Sequence, residues 1–210
     1  MPERELMLRF IRWSAVSLIL VLAVVWIGVW TLGSHPQASA PGGVLGSGVQ
    51  VGGPFKLTDS AGKPVTDADY RGRWMLVYFG YTFCPDVCPT ELQAMASGLH
   101  LLGPMADKVV PIFVTIDPER DTPQAMGEYV KLFDDRLVGL TGTAQEIADI
   151  AREYRVYYAK VESKAASSYL MDHSSFMYLM GPDGRLQMLI KPGSTGQEIA
   201  NDIRSRLAAS

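Results

Sequence analysis

Strands alternating with helices, closed by a β-hairpin and a last helix, predict an α/β fold with a central mixed sheet flanked by helices. Three observations carry that prediction. Two continuous apolar runs, Trp74–Gly80 (WMLVYFG) and Val109–Ile116 (VVPIFVTI), read as strands buried on both faces. Segments with apolar residues at helical spacing separate the strands. Late in the chain, Gly181-Pro182-Asp183-Gly184 turns one strand back onto the next.

In chain order, Phe55–Thr58 reads as a short strand, with a turn at Asp59-Ser60-Ala61-Gly62 and a second short strand at Pro64-Val65. Trp74–Gly80 follows as the first buried strand. Leu92, Met95, Leu99 and Leu102 then share one helical face and predict a helix over Thr90–Leu102. After the second buried strand, Thr122-Pro123 supplies an N-cap and a proline at the first helical position, opening a helix to Phe133. Leu137–Leu140 makes a short strand. Thr143 and Glu146 form a capping box that opens a helix to Tyr154. Tyr157–Val161 and Ser175–Met180 read as strands, the latter hairpinned with Arg185–Ile190, and Thr195–Leu207 is the closing helix. A strand that delivers two cysteines to a helix N-terminus, with a later hairpin and final helix, points to the thioredoxin-like class.

The N-terminus adds a membrane element. Trp13–Leu32 (WSAVSLILVLAVVWIGVWTL) holds twenty residues without a charge, and as a helix it spans about 30 Å, a bilayer core. Arg4, Arg9 and Arg12 precede it and the next cation is Lys56, so residues 1–12 are expected in the cytoplasm and the rest outside. Trp26 and Trp30 sit near the outer interface. Ala38-Ser39-Ala40 resembles a signal-peptide cleavage site, but the apolar stretch exceeds the usual signal core and Pro41 would follow the cut. Glu3 and Glu5 argue against a mitochondrial transit peptide. A bacterial inner-membrane protein with a single retained anchor and a periplasmic domain is therefore expected. Residues 33–53, with seven glycines, two prolines and no charge, read as a flexible linker reaching roughly 25 Å. Residues 54–210 form the single globular domain. A net charge of −3 gives no basic footprint for nucleic acid.

The chemistry centres on Cys84 and Cys88, the only cysteines, in Cys84-Pro85-Asp86-Val87-Cys88-Pro89. On a helix, positions four apart share a face. Three readings are open to the pair. A structural disulfide is permitted in an exported domain, yet closing a five-residue loop constrains the unfolded chain by only about 2 kcal/mol. A redox-active dithiol suits a helix N-terminus, which lowers thiol pKa values. Against it, three residues separate the cysteines where thioredoxin-type catalysts have two, and Met171-Asp172-His173-Ser174 offers no proline before the facing strand. Metal binding is the third. Two thiolates fall short of the four ligands of a closed zinc site but suit Cu(I), and one imidazole would complete a three-coordinate site able to hold Cu(II) as well. Among the three histidines, His35 lies in the linker and His100 lies about three turns beyond Cys88. His173 sits just before a predicted central strand, in a loop that returns to the cysteine helix in a thioredoxin-like fold.

Three blocks, GYTFCPDVCPTEL (Gly80–Leu92), TIDPERDTP (Thr115–Pro123) and MDHSSFMYLMGPDG (Met171–Gly184), resemble the Sco/SenC family over residues 50–208. The resemblance implies a membrane-anchored copper protein with a thioredoxin-like fold, needed to assemble the copper sites of cytochrome c oxidase. It implies Cys84, Cys88 and His173 as ligands of one copper ion, Cu(I) or Cu(II). The expected partner is cytochrome c oxidase subunit II at its CuA site, with another periplasmic copper chaperone or a thiol reductase as a further candidate partner. The expected role is that of a metallochaperone and not an enzyme. The alternative is a thiol–disulfide oxidoreductase that keeps the acceptor's cysteines reduced, with Cys84 and Cys88 as its redox disulfide. A peroxidase on the same fold is a third class.

Other motif residues have narrower expectations. Asp117 closes the second buried strand at the carboxyl edge where α/β ligands gather, or serves as a turn residue. Asp121 reads as structural. Asp86, between the cysteines, either tunes the metal and partner docking or favours the helix N-terminus. Asp172 could orient His173 through a hydrogen bond. The ten methionines form no clustered copper motif, and Tyr78, Phe79, Tyr81 and Phe83 read mainly as core.

Overall fold

The computed structural model describes Trp13, residues 50–162 and residues 169–209. The chain divides into two units, Met1–Pro41 and Gly42–Ser210. The anchor expected over 13–32 lies outside the described residues except for Trp13, as do residues 1–12, most of the linker and His35. Among the described residues, no helix is long and apolar enough to cross a membrane.

The second unit is an α/β structure on a seven-stranded mixed sheet in the order β2-β1-β5-β4-β3-β8-β9. Its strands are β1 (Lys56–Asp59), β2 (Pro64–Thr66), β3 (Trp74–Gly80), β4 (Val109–Thr115), β5 (Val138–Thr141), β8 (Met177–Met180) and β9 (Leu186–Ile190). β3, β4 and β5 run parallel; β1 and β8 pair antiparallel with β5 and β3. Every residue of β3 and β4 is buried because both faces of the sheet are covered.

Neighbours along β3 show the two faces. Tyr78 stacks on Phe113, which meets Tyr129 of α2 (Pro123–Val130). Phe79 points the other way, into Tyr154 at the end of α3 (Ala144–Glu153) and Tyr178 of β8. The connection from β3 to β4 is α1 (Val87–Leu102), which packs against α4 (Gly196–Ala208). Gly98 allows that approach: a Cβ there would stand 2.8 Å from Ile199 Cγ2. Capping follows the sequence, with Thr122, Thr143 and Thr195 each accepting from a backbone N–H in the first turn.

The structure departs from expectation in four places. First, α1 starts at Val87, three residues before Thr90, so Cys88 and Pro89 lie inside the first turn. Proline is tolerated there because the first N–H groups of a helix have no intrahelical partner. Cys84 precedes the helix, so the two cysteines do not share one helical face. Second, β6 (Tyr158–Val161) lies outside the central sheet and pairs with β7 (Leu170–His173), a strand with no sequence signal. His173 therefore ends a strand and is not in a loop. Third, α2 stops at Val130, and 3₁₀ turns at Asp67–Tyr70 and Gly103–Lys108 join the expected elements. Fourth, Val51 is buried in the core and Gly52 N–H donates to Glu153 O at 2.9 Å, within the stretch read as linker.

Candidate metal centre

β3 ends at Gly80, and residues 81–86 carry Cys84 to the start of α1. Asp121 sets the shape of that loop. Its carboxylate accepts from the Thr82 N–H at 3.0 Å, the Thr82 hydroxyl at 2.6 Å and the Thr115 hydroxyl at 2.6 Å. Burial raises the Asp121 pKa, although these bonds pull the other way.

Cys84 Sγ accepts from the Cys88 N–H at 3.3 Å, the role that an N-cap oxygen takes elsewhere. Asp86, at the N-cap position itself, makes no side-chain capping bond. Beneath Cys88 lies Gly80, where a Cβ would stand 2.9 Å from Cys88 Sγ and 2.9 Å from Phe113 Cε2. The missing side chain is the space the sulfur fills.

The two thiols are electrostatically unlike. The hydrogen bond from Cys88 is the main reason that the Cys84 pKa drops to about 4; His173 and the N–H groups of Asp86 and Cys88 add to it, while burial opposes it. The same bond, together with burial, pushes Cys88 up. The two directions make Cys84 the more acidic thiol and leave the shared proton with Cys88.

His173 ends β7, opposite Tyr158 of β6. Its Nδ1 lies 3.0 Å from the Ser174 carbonyl oxygen. A carbonyl only accepts, so Nδ1 carries a proton and donates to it, and Nε2 is the ring nitrogen left facing the sulfurs. Nε2 stands 3.4 Å from Cys88 Sγ. Tyr78 and Tyr81 meet the imidazole edge-on, each with centroids 6.2 Å away. The Tyr81 hydroxyl also accepts from the Met171 N–H at 3.2 Å, tying β7 to the cysteine loop.

One sulfur each from Cys84 and Cys88 and a ring nitrogen of His173 lie within 4.8 Å of one another. Metal–donor bonds of about 2.0–2.3 Å place donors around one ion about 3.5–4 Å apart, so a small closure suffices. The set is soft and three-membered, which fits copper and leaves zinc one ligand short. Among the described residues, no fourth cysteine, histidine or acid joins the group.

The remaining predicted residues are dispersed. Asp86 is exposed. Asp117 is buried and held by Arg120 Nε at 2.5 Å and by the Tyr169 hydroxyl at 2.8 Å. Asp172 is exposed on β7, and the partner of His173 Nδ1 is the Ser174 carbonyl instead. His100 is exposed on α1, outside the group. Sequence reasoning missed Arg120 and Tyr169, and passed over Asp121 as merely structural. Only the motif block TIDPERDTP carried a trace of the first and last.

Residues 45–208 match the SCO1/SenC family. The chain is 46% identical over 159 residues to mouse Protein SCO1 homolog, mitochondrial, covering 75% of this chain and 56% of that protein. The human counterpart is 44% identical, with 75% and 53% covered. The chain thus spans about half the length of these curated relatives. A solved structure of Bradyrhizobium japonicum ScoI with copper bound is 47% identical, with TM-score 0.68 and coverage of 74% of this chain and 98% of that one. Yeast Sco1 with copper bound is 34% identical, with TM-score 0.71 and coverage of 77% and 91%. BsSco, in which a disulfide switch was identified, is 25% identical, with TM-score 0.59 and coverage of 77% and 95%.

Proposed function

The chain belongs to the SCO1/SenC family, and from that premise we propose that it is a copper metallochaperone serving the CuA site of cytochrome c oxidase subunit II. The convergence of Cys84, Cys88 and His173 carries the reading. Copper is the cargo, held by two sulfurs and His173 Nε2. Cys84 is half-exposed, so an acceptor's thiolates can reach the ion and replace the donors one at a time. Such ligand exchange needs no turnover. Held in the inner membrane by the stretch 13–32 with its domain in the periplasm, the chain would meet the acceptor where the CuA site faces that compartment.

The test is copper analysis and absorption spectroscopy of the full chain in detergent, wild type against Cys84→Ala, Cys88→Ala and His173→Ala. One copper per chain, with sulfur-to-Cu(II) bands that vanish in all three variants, is expected. Bands that persist in His173→Ala would overturn the ligand set.

The unlike thiols favour a second reading, dithiol reduction of the acceptor's cysteines. A low Cys84 beside a protonated Cys88 is the arrangement of an attacking and a resolving thiol. That activity would survive in His173→Ala, whereas tight copper binding would not.

A further inference from the structure

His173 rides on a hairpin that is not part of the central sheet. β7 has no ladder of its own to the cysteine loop: the chain leaves His173 for β8, which pairs with β3, and side-chain contacts complete its placement. Arg120, in the connection from β4 to α2, touches both halves of the site. Its Nε donates to Asp117 Oδ2 at 2.5 Å, and its Nη1 donates to the Tyr169 carbonyl at 3.1 Å. The Tyr169 hydroxyl donates to the other Asp117 oxygen at 2.8 Å. The guanidinium lies over the rings of Tyr169 at 3.8 Å, Phe83 at 4.7 Å and Tyr81 at 5.7 Å.

The placement of those rings is informative. Tyr169 directly precedes β7, and Phe83 directly precedes Cys84. One cation thus bridges the strand that ends at His173 and the loop that carries the first cysteine. The side chains of Arg120 and Asp117 are 16% and 1% exposed, so the ion pair is shielded from water, while Phe83 covers the guanidinium from the exposed side, being 57% exposed itself. Lys160 of β6 repeats the motif over Tyr169 at 4.6 Å while bonding Glu119 at 2.6 Å.

We propose that Arg120 is a positioning residue for copper: by clasping Phe83 and Tyr169 it holds His173 at ligand distance from the two cysteines. The clasp rests on the copper reading above, and it decides whether the ion is taken by two sulfurs alone or by all three donors.

A double-mutant cycle on the full chain in detergent tests it, using wild type, Arg120→Lys, His173→Ala and the pair. Lysine keeps a charge opposite Asp117 but loses the planar group and its bond to Tyr169. Cu(I) affinity is read by chelator competition, and nitrogen coupling to Cu(II) by EPR. Arg120→Lys is expected to weaken Cu(I) binding at least tenfold and to diminish the nitrogen coupling, yet to add no loss in the His173→Ala background. Equal losses in both backgrounds, or wild-type affinity and nitrogen coupling in Arg120→Lys, would overturn the clasp. Tyr169→Leu leaves the Asp117–Arg120 pair in place and runs through the same cycle, so a poorly folding lysine variant does not decide the outcome. Wild-type chain that bound no copper would instead overturn the copper reading, and the clasp with it.

Discussion

Nε2 of His173 stands 3.4 Å from Sγ of Cys88 across a sequence separation of 85 residues. The two arrive by different routes. Cys88 is set by the sheet, through β3, Gly80 and the first turn of α1. His173 is set by a hairpin outside the central sheet, joined to it by the short chain into β8 and by side-chain contacts. The metal centre is a seam between two separately positioned pieces, so groups that fix one piece against the other tune it without touching an ion.

Gly80→Ala tests how tightly the sulfur is packed. The new methyl would lie 2.9 Å from Cys88 Sγ and from Phe113 Cε2, both buried and unable to swing away. Overpacking of this kind costs about 1–3 kcal/mol. Urea unfolding should show that loss, and chelator competition should show weaker Cu(I) binding as Cys88 is displaced. Lower stability with unchanged copper affinity would mean that Phe113, not Cys88, gives way.

Burial was easier to read than contact. β3 and β4 announce themselves because sheets covered on both faces need unbroken apolar runs. β7 does not: in Leu170–His173 only Met171 is buried, Leu170 and His173 are half-buried and Asp172 is exposed, and so short a strand paired with one other leaves no periodic pattern. The cysteine spacing identified the site but misled about its geometry. Spacing of four implies a shared helical face only if both residues are helical, and Cys84 stands outside α1, accepting from the Cys88 N–H. His173 followed from topology. The bond of Arg120 to Tyr169, residues 49 apart, depends on how the hairpin folds back, which no local pattern encodes. Asp172 failed for a similar reason: alternation along β7 turns it to solvent while His173 faces inward, leaving a backbone carbonyl to orient the ring.

Cys84 should behave as a thiolate across the neutral range. An ordinary thiol loses reactivity below about pH 8.5 as it protonates. With its pKa brought to about 4, chiefly by the bond from Cys88, Cys84 should react with iodoacetamide at a nearly constant rate from about pH 9 to about pH 6. Cys88, buried and pushed upward, should stay unlabelled. In Cys88→Ala the main cause is gone, and the Cys84 profile should move toward that of an ordinary thiol. A wild-type profile that falls off near pH 8.5 would remove the shared proton from the picture.

Asp121 should impose a pH slope on stability. Its folded pKa is raised by burial, so the folded chain holds this proton more tightly than the unfolded chain does. Its stabilising contribution is therefore full below the ordinary carboxyl value of about 3.9 and is lost as pH rises through the raised folded value. Asn can replace it with little rearrangement. The amide oxygen accepts from the Thr82 N–H and the Thr115 hydroxyl, and the amide nitrogen donates to a turned Thr82 hydroxyl. Urea unfolding at successive pH values from about 4 to 7 should show that Asp121→Asn lacks the decline seen in wild type. Parallel curves for the two proteins would show that the carboxyl does not ionise in this window.

Tyr81→Phe separates the ring of Tyr81 from its hydroxyl. The ring keeps its edge-on approach to His173, but the Met171 N–H, which donates to that hydroxyl at 3.2 Å, loses its acceptor within a buried segment. An orphaned buried donor costs about 1–3 kcal/mol, and here the cost falls on the seam between β7 and the cysteine loop. Hydrogen exchange should therefore show faster opening at Met171 while the amides of β3 and β4 keep their protection, because the central sheet is untouched. Copper binding should weaken less than in His173→Ala, since the imidazole is still present and only its placement is loosened. If Met171 exchanged as slowly as in wild type, the hydroxyl would not be what holds β7 in place, and the positioning would fall to the contacts of Tyr169 alone.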